Sequence, residues 1–599
     1  MKAGDINPRQ LETARILSPR RRSSKAHTID ELADEQLAHY GIERHSEYGQ
    51  ILHDIVSRLY EVQSSMQDLW DVTLRTIAEL PRTERIAYFN AKKFLCFQLA
   101  KILDTLQNPF RATYQSLNLT DGSLCAKGSY AIFDNVAAMF SANPVIVRSA
   151  TYIYACTEWI DDAFKGKELL LEVYSRLVNP TSIALANYIV DIEAGPEAQN
   201  YWAYNFNSGM AAIDAVLTHI VDIEDVIISS RNTYGGTYQL LVDLFARKSK
   251  HKVSLEWFDG YNGEAFESCL KQVQYKHRLA LERGSRIHVY LESPCNPHGY
   301  ALDVPAICRL AHAAGCRVVL DSTVGTPFLY KPLRRPDAQE RPDFVVHSYT
   351  KDICGNGNTT AGVVIGRNDD MFMPKGKPGD GTGWEETLFW DVYYIKGAFL
   401  DSDKSFEVLT GLKTLDLRMK QKTINTKILA TFLNSHPDIR VNCNALEDNP
   451  NHGIAQLVLH HGMPAPLFTI DMDSAGLGRE TFQSFFDCLD PMFNHMVSLG
   501  QTNTMVLCPA LTSHSEMSEQ AQRDAGIFLT TIRISVGMEN PKQLIGHFIN
   551  AVRLTIDPAR PGFSDGFMSE SDIDHMCEEI YLESHRKFVQ GSRPMASFL

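Results

Sequence analysis

The sequence predicts an α/β protein on a mainly parallel sheet, with a smaller α+β domain after it and a helical extension before it. Two observations carry this. Short apolar runs at 225–229, 287–292, 317–321 and 344–347 alternate with helical stretches at 211–220, 238–246 and 306–314, the pattern of strands joined by helical crossovers. Several runs also end abruptly in polar or glycine-bearing stretches, as in Tyr290-Leu291-Glu292-Ser293-Pro294-Cys295-Asn296-Pro297. Parallel sheets bind ligands beyond the carboxyl ends of their strands.

At 599 residues the chain is too long for one ordinary core, so two to four domains are expected. Its net charge of −14 argues against a broad nucleic-acid surface. No apolar run reaches transmembrane length and no secretory core precedes the first helix, so neither membrane nor nucleic acid is an expected partner. The 12 cysteines include no C-x-x-C pair, which fits a reduced, cytoplasmic protein better than a disulfide scaffold or a metal site.

Residues 1–27, with the basic stretch Arg20-Arg21-Arg22, read as a disordered tail. Thr28-Ile29-Asp30-Glu31 reads as a capping box that opens a helical extension over 28–150. There Ile51, Ile55, Leu59, Val62, Met66 and Leu69 recur at three-to-four spacing, and a second such stripe runs from Phe89 through Phe94, Phe97, Leu99 and Ile102 to Leu106. Neither stripe brings a catalytic constellation, so packing is the expected role. The α/β domain is placed at 201–400 and the α+β domain at 401–557. Residues 558–599 read as a polar tail holding one helix over 570–584.

The chemistry centres on Arg341 to Gly366. Phe344-Val345-Val346 delivers His347-Ser348-Tyr349-Thr350-Lys351 to a strand end, and a Gly/Asn-rich loop follows. A lysine that is desolvated, or set beside cations, loses its proton and can form a Schiff base. Ser348 and Thr350 alternate just before it, and in extended chain they would face one side and hold an anion. S-x-T-K alone would fit an ordinary solvated lysine, but four more segments converge. Asn207-Ser208-Gly209-Met210 opens a helix, whose free N–H groups suit a phosphate. Arg231-Asn232-Thr233-Tyr234-Gly235-Gly236 is a glycine-punctuated loop whose Tyr234 can stack on a ring. Asn296 lies in a polar strand end. Arg317-Val318-Val319-Leu320-Asp321-Ser322-Thr323 puts a carboxylate at the tip of an apolar strand, which is costly unless a cation meets it.

With these segments in order, the sequence resembles the cystathionine γ-synthase and methionine γ-lyase family, the pyridoxal-phosphate (PLP) enzymes of cysteine and methionine metabolism. The matching motifs are YSRLVNPT (174–181), SGMAAI (208–213), YGGTY (234–238), ESPCNP (292–297), LDSTVGTP (320–327), HSYTK (347–351), GLKTLDLRM (411–419), SLG (498–500) and RISVGMEN (533–540). The resemblance implies the aspartate-aminotransferase-like, type I PLP fold, with PLP as cofactor. It implies that Lys351 holds PLP and moves protons, Asp321 pairs with the pyridinium nitrogen, and Tyr234 stacks on the ring. Ser208, Gly209, Met210, Ser348 and Thr350 would serve the phosphate, with Thr323 also in the cofactor site and Asn296 near the ring hydroxyl. Arg533 would clamp the carboxylate of a small amino-acid substrate and Ser498 would help place it. Tyr174 and Arg176, in an arm over 151–200, would reach the phosphate of a neighbouring subunit, so that a homodimer or homotetramer shares its sites.

The sequence departs from the family after the lysine, where Cys354-Gly355-Asn356-Gly357-Asn358-Thr359 stands, at Val497, and at Asn503-Thr504. The implied activity is γ-replacement on an O-activated homoserine, of cystathionine γ-synthase type. The alternative is γ- or β-elimination from cystathionine- or methionine-type substrates. A PLP-binding regulatory or scaffold protein is the reading of another class. An NAD-binding protein is excluded, since no G-x-G-x-x-G follows a first strand.

Overall fold

The computed structural model describes residues 26–39, 41–76, 141–152, 173–371, 387–512 and 526–591, with isolated positions and short pieces between 90 and 123 and at 157, 520 and 522. Residues 1–25, Phe89 and Leu106 lie outside the described residues. The chain divides into two compact units, residues 1–145 with 594–599, and residues 146–593.

In the first unit, helix α1 (Ile29–His39) packs on α2 (Glu47–Thr76). Half of the capping box forms: Glu31 N donates to Thr28 Oγ1 at 3.2 Å, while the Glu31 carboxylate accepts from His27 N at 2.6 Å, one residue before the cap. Gln36 Nε2 donates to Tyr60 OH at 2.6 Å across the pair. The stripe Ile51, Ile55, Leu59, Val62 and Met66 lies on α2 but is exposed. Residues 93–102 are helical as well.

The second unit opens with α3 (Pro180–Ala194). Asn179 caps it, accepting from the N–H groups of Thr181 and Ser182, and Pro180 fills the first position, where no N–H is needed. A seven-stranded sheet follows: β1 (Tyr201–Phe206), β2 (Val226–Ser230), β3 (Ser254–Phe258), β4 (Ile287–Glu292), β5 (Arg317–Asp321), β6 (Phe344–His347) and β7 (Gly362–Arg367). Its order is β1-β7-β6-β5-β4-β2-β3, and β7 alone runs against its neighbours. The centre is dry: Val318, Val319, Leu320, Phe344, Val345 and Val346 have no accessible surface. Burying each such side chain stabilises the sheet by about 1.5–3 kcal/mol. Helix α4 (Gly209–Ile220) packs across β6 and β7.

A second sheet holds β8 (Arg440–Asn442), β9 (Leu467–Asp471), β10 (Asn494–His495), β11 (Met505–Leu507) and β12 (Ile532–Ser535), in the order β10-β11-β12-β9-β8. Helix α5 (Leu415–Asn434) precedes it and α6 (Glu570–Gly591) closes the unit. Within the polar tail expected beyond residue 557, the helix is present and longer than expected, and it packs on the core. Ile573, Met576, Cys577 and Ile580, with Phe588 two turns further on, lie along one face of α6 and join the core, where α6 meets α5. Charged residues between them hide that stripe in the composition.

Among the described residues no helix is long and apolar enough to cross a membrane. Nor does any group of three His, Cys, Asp or Glu among them fit a metal ion.

Candidate active site

Lys351 stands just past the end of β6, as expected, but in a turn. Lys351 N donates to the Ser348 carbonyl at 3.2 Å, Cys354 N to Tyr349 O at 3.0 Å and Gly355 N to Lys351 O at 2.9 Å. The expectation that Ser348 and Thr350 face one side in extended chain is therefore corrected: Thr350 Oγ1 accepts from Ala361 N at 3.0 Å and donates to Ala361 O at 3.3 Å, which binds the turn to the start of β7. No hydrogen bond of the Ser348 hydroxyl is seen among the described residues.

The Lys351 ammonium donates to Ser498 Oγ at 3.1 Å. Burial, and next the Arg533 charge, push its pKa down to about 8, so an appreciable fraction of the amine is neutral near physiological pH. Three residues not anticipated from the sequence hold the turn. The Lys422 ammonium pairs with the Asp352 carboxylate, both side chains almost wholly buried. Arg418 donates to the carbonyls of Asp352 at 2.5 Å, Ile353 at 3.1 Å and Gly411 at 2.9 Å. Arg418 sits inside the GLKTLDLRM motif, but nothing in the motif says what it grips.

Asp321 ends β5 opposite Glu292 of β4. Its Oδ1 accepts from Thr323 N at 3.0 Å and its Oδ2 from Tyr290 OH at 3.4 Å, and no lysine or arginine among the described residues pairs with it. Burial accordingly pushes its pKa up. Glu292, buried beside it, is raised well above the usual carboxylate range by burial and by the Asp321 charge. Glu292 accepts from Tyr234 N at 2.6 Å and from Asn296 N at 2.8 Å, so one carboxyl positions two candidate site residues. Thr323 Oγ1 accepts from Ser348 N at 2.8 Å, joining the ends of β5 and β6. Behind them, fully buried His347 Nε2 lies 2.5 Å from Glu193 Oε1.

Ser208 caps α4, its Oγ accepting from Ala211 N at 3.1 Å. The N–H groups of Gly209 and Met210 are left in the first turn, where a helix offers unpaired donors. A Cβ at Gly209 would lie 2.7 Å from Ser348 Cβ, so only glycine lets the helix end approach the Ser348 hydroxyl this closely. Tyr234 lies over Gly236, where a Cβ would come within 2.6 Å of the ring, and its outer face is partly open.

Arg533, on β12, is buried, and burial pushes its pKa down to about 9. It donates to Asn296 Oδ1 at 3.1 Å and to the Ser498 carbonyl, while its Nε has no partner among the described residues. Lys351, Ser498, Arg533 and Asn296 thus form one connected cluster. Tyr174 and Arg176 are not part of it in this chain: Arg176 donates to Tyr394 O at 2.7 Å and lies over the Tyr174 ring, which is 41% exposed.

The cluster asks for a particular guest. Asp321 wants a cation, the α4 end with Ser348 wants an anion, and Tyr234 offers a ring face. Lys351 supplies an amine and Arg533 a vacant donor. A phosphorylated pyridine aldehyde and an amino-acid carboxylate satisfy all of these, so the residues present fit PLP. Residues 133–553 match the family described as Cys/Met metabolism PLP-dependent enzymes. The chain belongs to that family.

Over 407 residues it is 29% identical to an L-methionine gamma-lyase of Fusobacterium nucleatum subsp. polymorphum, covering 66% of this chain and 90% of that protein. It is 28% identical over 434 residues to an O-acetyl-L-homoserine sulfhydrylase of Corynebacterium glutamicum, covering 69% of this chain and 92% of the relative. The crystal structure of cystathionine gamma synthase from Xanthomonas oryzae pv. oryzae in complex with cystathionine aligns with a TM-score of 0.57 and 24% identity, over 72% of this chain and 95% of that one. The fold is that of the type I PLP-dependent enzymes, and the cofactor of this family is PLP.

Proposed function

We propose that this PLP-dependent enzyme carries out γ-replacement on an O-activated homoserine, with a thiol as the incoming group. The carrying observation is that Ser498 joins Lys351 to Arg533: its Oγ accepts from the lysine and its carbonyl from the arginine. A substrate whose carboxylate fills the vacant Arg533 donor brings its Cα to Lys351.

Lys351 is assigned as the residue that holds PLP, Asp321 as the partner of the pyridine nitrogen and Tyr234 as the stacking ring. The phosphate is assigned to Ser208, Gly209, Met210, Ser348 and Thr350, the last once its hydroxyl turns away from Ala361 O. Asn296 and Thr323 complete the cofactor site, and Arg533 with Ser498 orients the substrate. When bound, PLP supplies an electron sink next to the substrate Cα. Lys351 Nζ takes the Cα proton and then serves Cβ, so the bond from Cγ to its oxygen substituent can break and a thiol can add at Cγ. Tyr234 is assigned to cover the reacting face, with its phenol helping in proton transfer.

Replacement needs a way in for a second reactant. In one chain Val497, next to Ser498, is 76% exposed and Tyr234 is partly open, which supports such a path. The methionine gamma-lyase relative favours a second reading, γ-elimination to ammonia and a 2-oxo acid. Incubation with O-acetylhomoserine, with and without cysteine, separates the two. Cystathionine formed only with cysteine is expected, whereas 2-oxo acid released at one rate in both mixtures would overturn replacement. The site is further assigned to a homodimer or homotetramer, with Tyr174 and Arg176 reaching a neighbour's phosphate.

A further inference from the structure

A second cavity of about 400 Å³ opens at the carboxyl ends of β2, β3 and β4, against β8 and β9 of the second sheet. It contains none of Lys351, Asp321, Ser498 or Arg533. In the strand order β6 is separated from β3 by β5, β4 and β2. At about 4.8 Å per strand, the β3 wall is therefore roughly 19 Å from the strand that carries Lys351.

Its charges are unevenly matched. Arg440 of β8 stands directly across from Asp471 of β9, yet the two form no ion pair. The Asp471 carboxylate accepts instead from Thr531 Oγ1 at 3.0 Å, Thr530 Oγ1 at 3.3 Å and Asp473 N at 2.8 Å. Arg440 therefore lines the cavity without a carboxylate partner among the described residues. Beside it Asn442 accepts from Tyr300 OH at 3.5 Å and keeps its amide donors free. The Tyr261 phenol, protonated near neutral pH like any tyrosine and pushed further up by burial, is a hydrogen-bond donor. Phe258 and Phe528 give the cavity an apolar wall. On the opposite rim Arg231 is engaged by Asp259 at 2.5 Å, which leaves Arg440 as the cation on offer.

We propose that this cavity is an effector site for a small carboxylic acid with an apolar body, of amino-acid size. The carboxylate pairs with Arg440, supported by Asn442 and Tyr261, and the body lies on Phe258 and Phe528. A planar guanidinium forks onto a carboxylate with two parallel hydrogen bonds, and a cavity of this size, mostly polar but with Phe258 and Phe528 on one wall, has room for such a ligand. Glu292 lines the same cavity and holds the N–H groups of Tyr234 and Asn296. Occupancy is therefore transmitted to those two residues; this transmission, unlike the binding, rests on the reading of Tyr234 and Asn296 as cofactor residues.

The test uses the holoenzyme and two probes, 3-phenylpropionate and L-phenylalanine, with binding followed by calorimetry. Both should bind saturably. Arg440→Met should weaken 3-phenylpropionate at least tenfold, Asn442→Ala should weaken it less, and Arg533→Met should leave it unchanged. Measured in Arg533→Met, where the carboxylate clamp of the PLP site is removed, tighter binding of L-phenylalanine than of 3-phenylpropionate would assign the cavity to amino acids, and the reverse to acids without an ammonium group. The visible absorbance of bound PLP should shift with 3-phenylpropionate in the wild type and stay fixed in Arg440→Met. No saturable binding, or binding lost in Arg533→Met and kept in Arg440→Met, would overturn the site. Binding lost in Arg440→Met with no absorbance shift in the wild type would keep the site and overturn the transmission.

Discussion

The buried ammonium of Lys422 is paired with the carboxylate of Asp352, and Asp352 is bonded in sequence to Lys351. An ion pair so removed from water contributes little net stability, but it fixes geometry, because neither partner tolerates losing the other. Lys422→Met should cost about 3–5 kcal/mol, because it strands a buried charge. The double variant Lys422→Met/Asp352→Leu should recover much of that loss. Urea unfolding of the three proteins measures the effect. Equal stability in the single and double variants would mean that water already reaches Asp352.

The depressed pKa of Lys351 gives capture of PLP a pH dependence whose sign is fixed. Only the neutral amine attacks an aldehyde, so the rate at which cofactor-free protein gains visible absorbance should rise with pH through about 8 and then level off. The Arg533 charge helps lower that pKa. Arg533→Leu should therefore move the midpoint to higher pH. Stopped-flow traces across pH 6–10 give both midpoints, and an unmoved midpoint would leave burial as the sole cause.

Asp321→Asn should bind PLP and lose activity by about 100-fold or more, the scale set by removing one well-placed electrostatic partner in a buried site. The amide fills the same space but cannot keep the pyridine nitrogen protonated. Full activity with intact PLP absorbance would mean that Asp321 is a strand-end residue held by Thr323 and Tyr290 alone.

A shared site predicts rescue between two inactive proteins. Mixed Arg176→Ala and Lys351→Ala chains should form hybrids in which one site has both residues intact. Some activity should return once subunit exchange is verified by mass, and none would place Arg176 in a purely internal role beside Tyr394.

Much of this protein was determined by sequence alone. The β-branched runs that became β4, β5 and β6 are so apolar that burial is their one stable fate, and their polar last residues mark the site end of the sheet. Lys351 and Asp321 stand out as charged residues at the tips of apolar strands, whereas Tyr234 and Gly209 are legible as site residues only from the family resemblance of their motifs. Other elements carried weaker signals. β1 is the aromatic run Tyr201–Phe206 and β3 the mixed run Ser254–Phe258, neither with a clean period, and sheet contacts decided both. The apolar face of α6 was hidden because its residues are diluted by charge, and it counts as core only when α5 lies against it. Lys422 meets Asp352 across 70 positions, and Arg440 has no carboxylate partner among the described residues, where Thr530 and Thr531 bond Asp471 instead. Such partnerships depend on distances of a few ångströms between remote segments. Local pattern sets the strands and their tips, but only the closed fold decides which charges are satisfied and which remain available to a ligand.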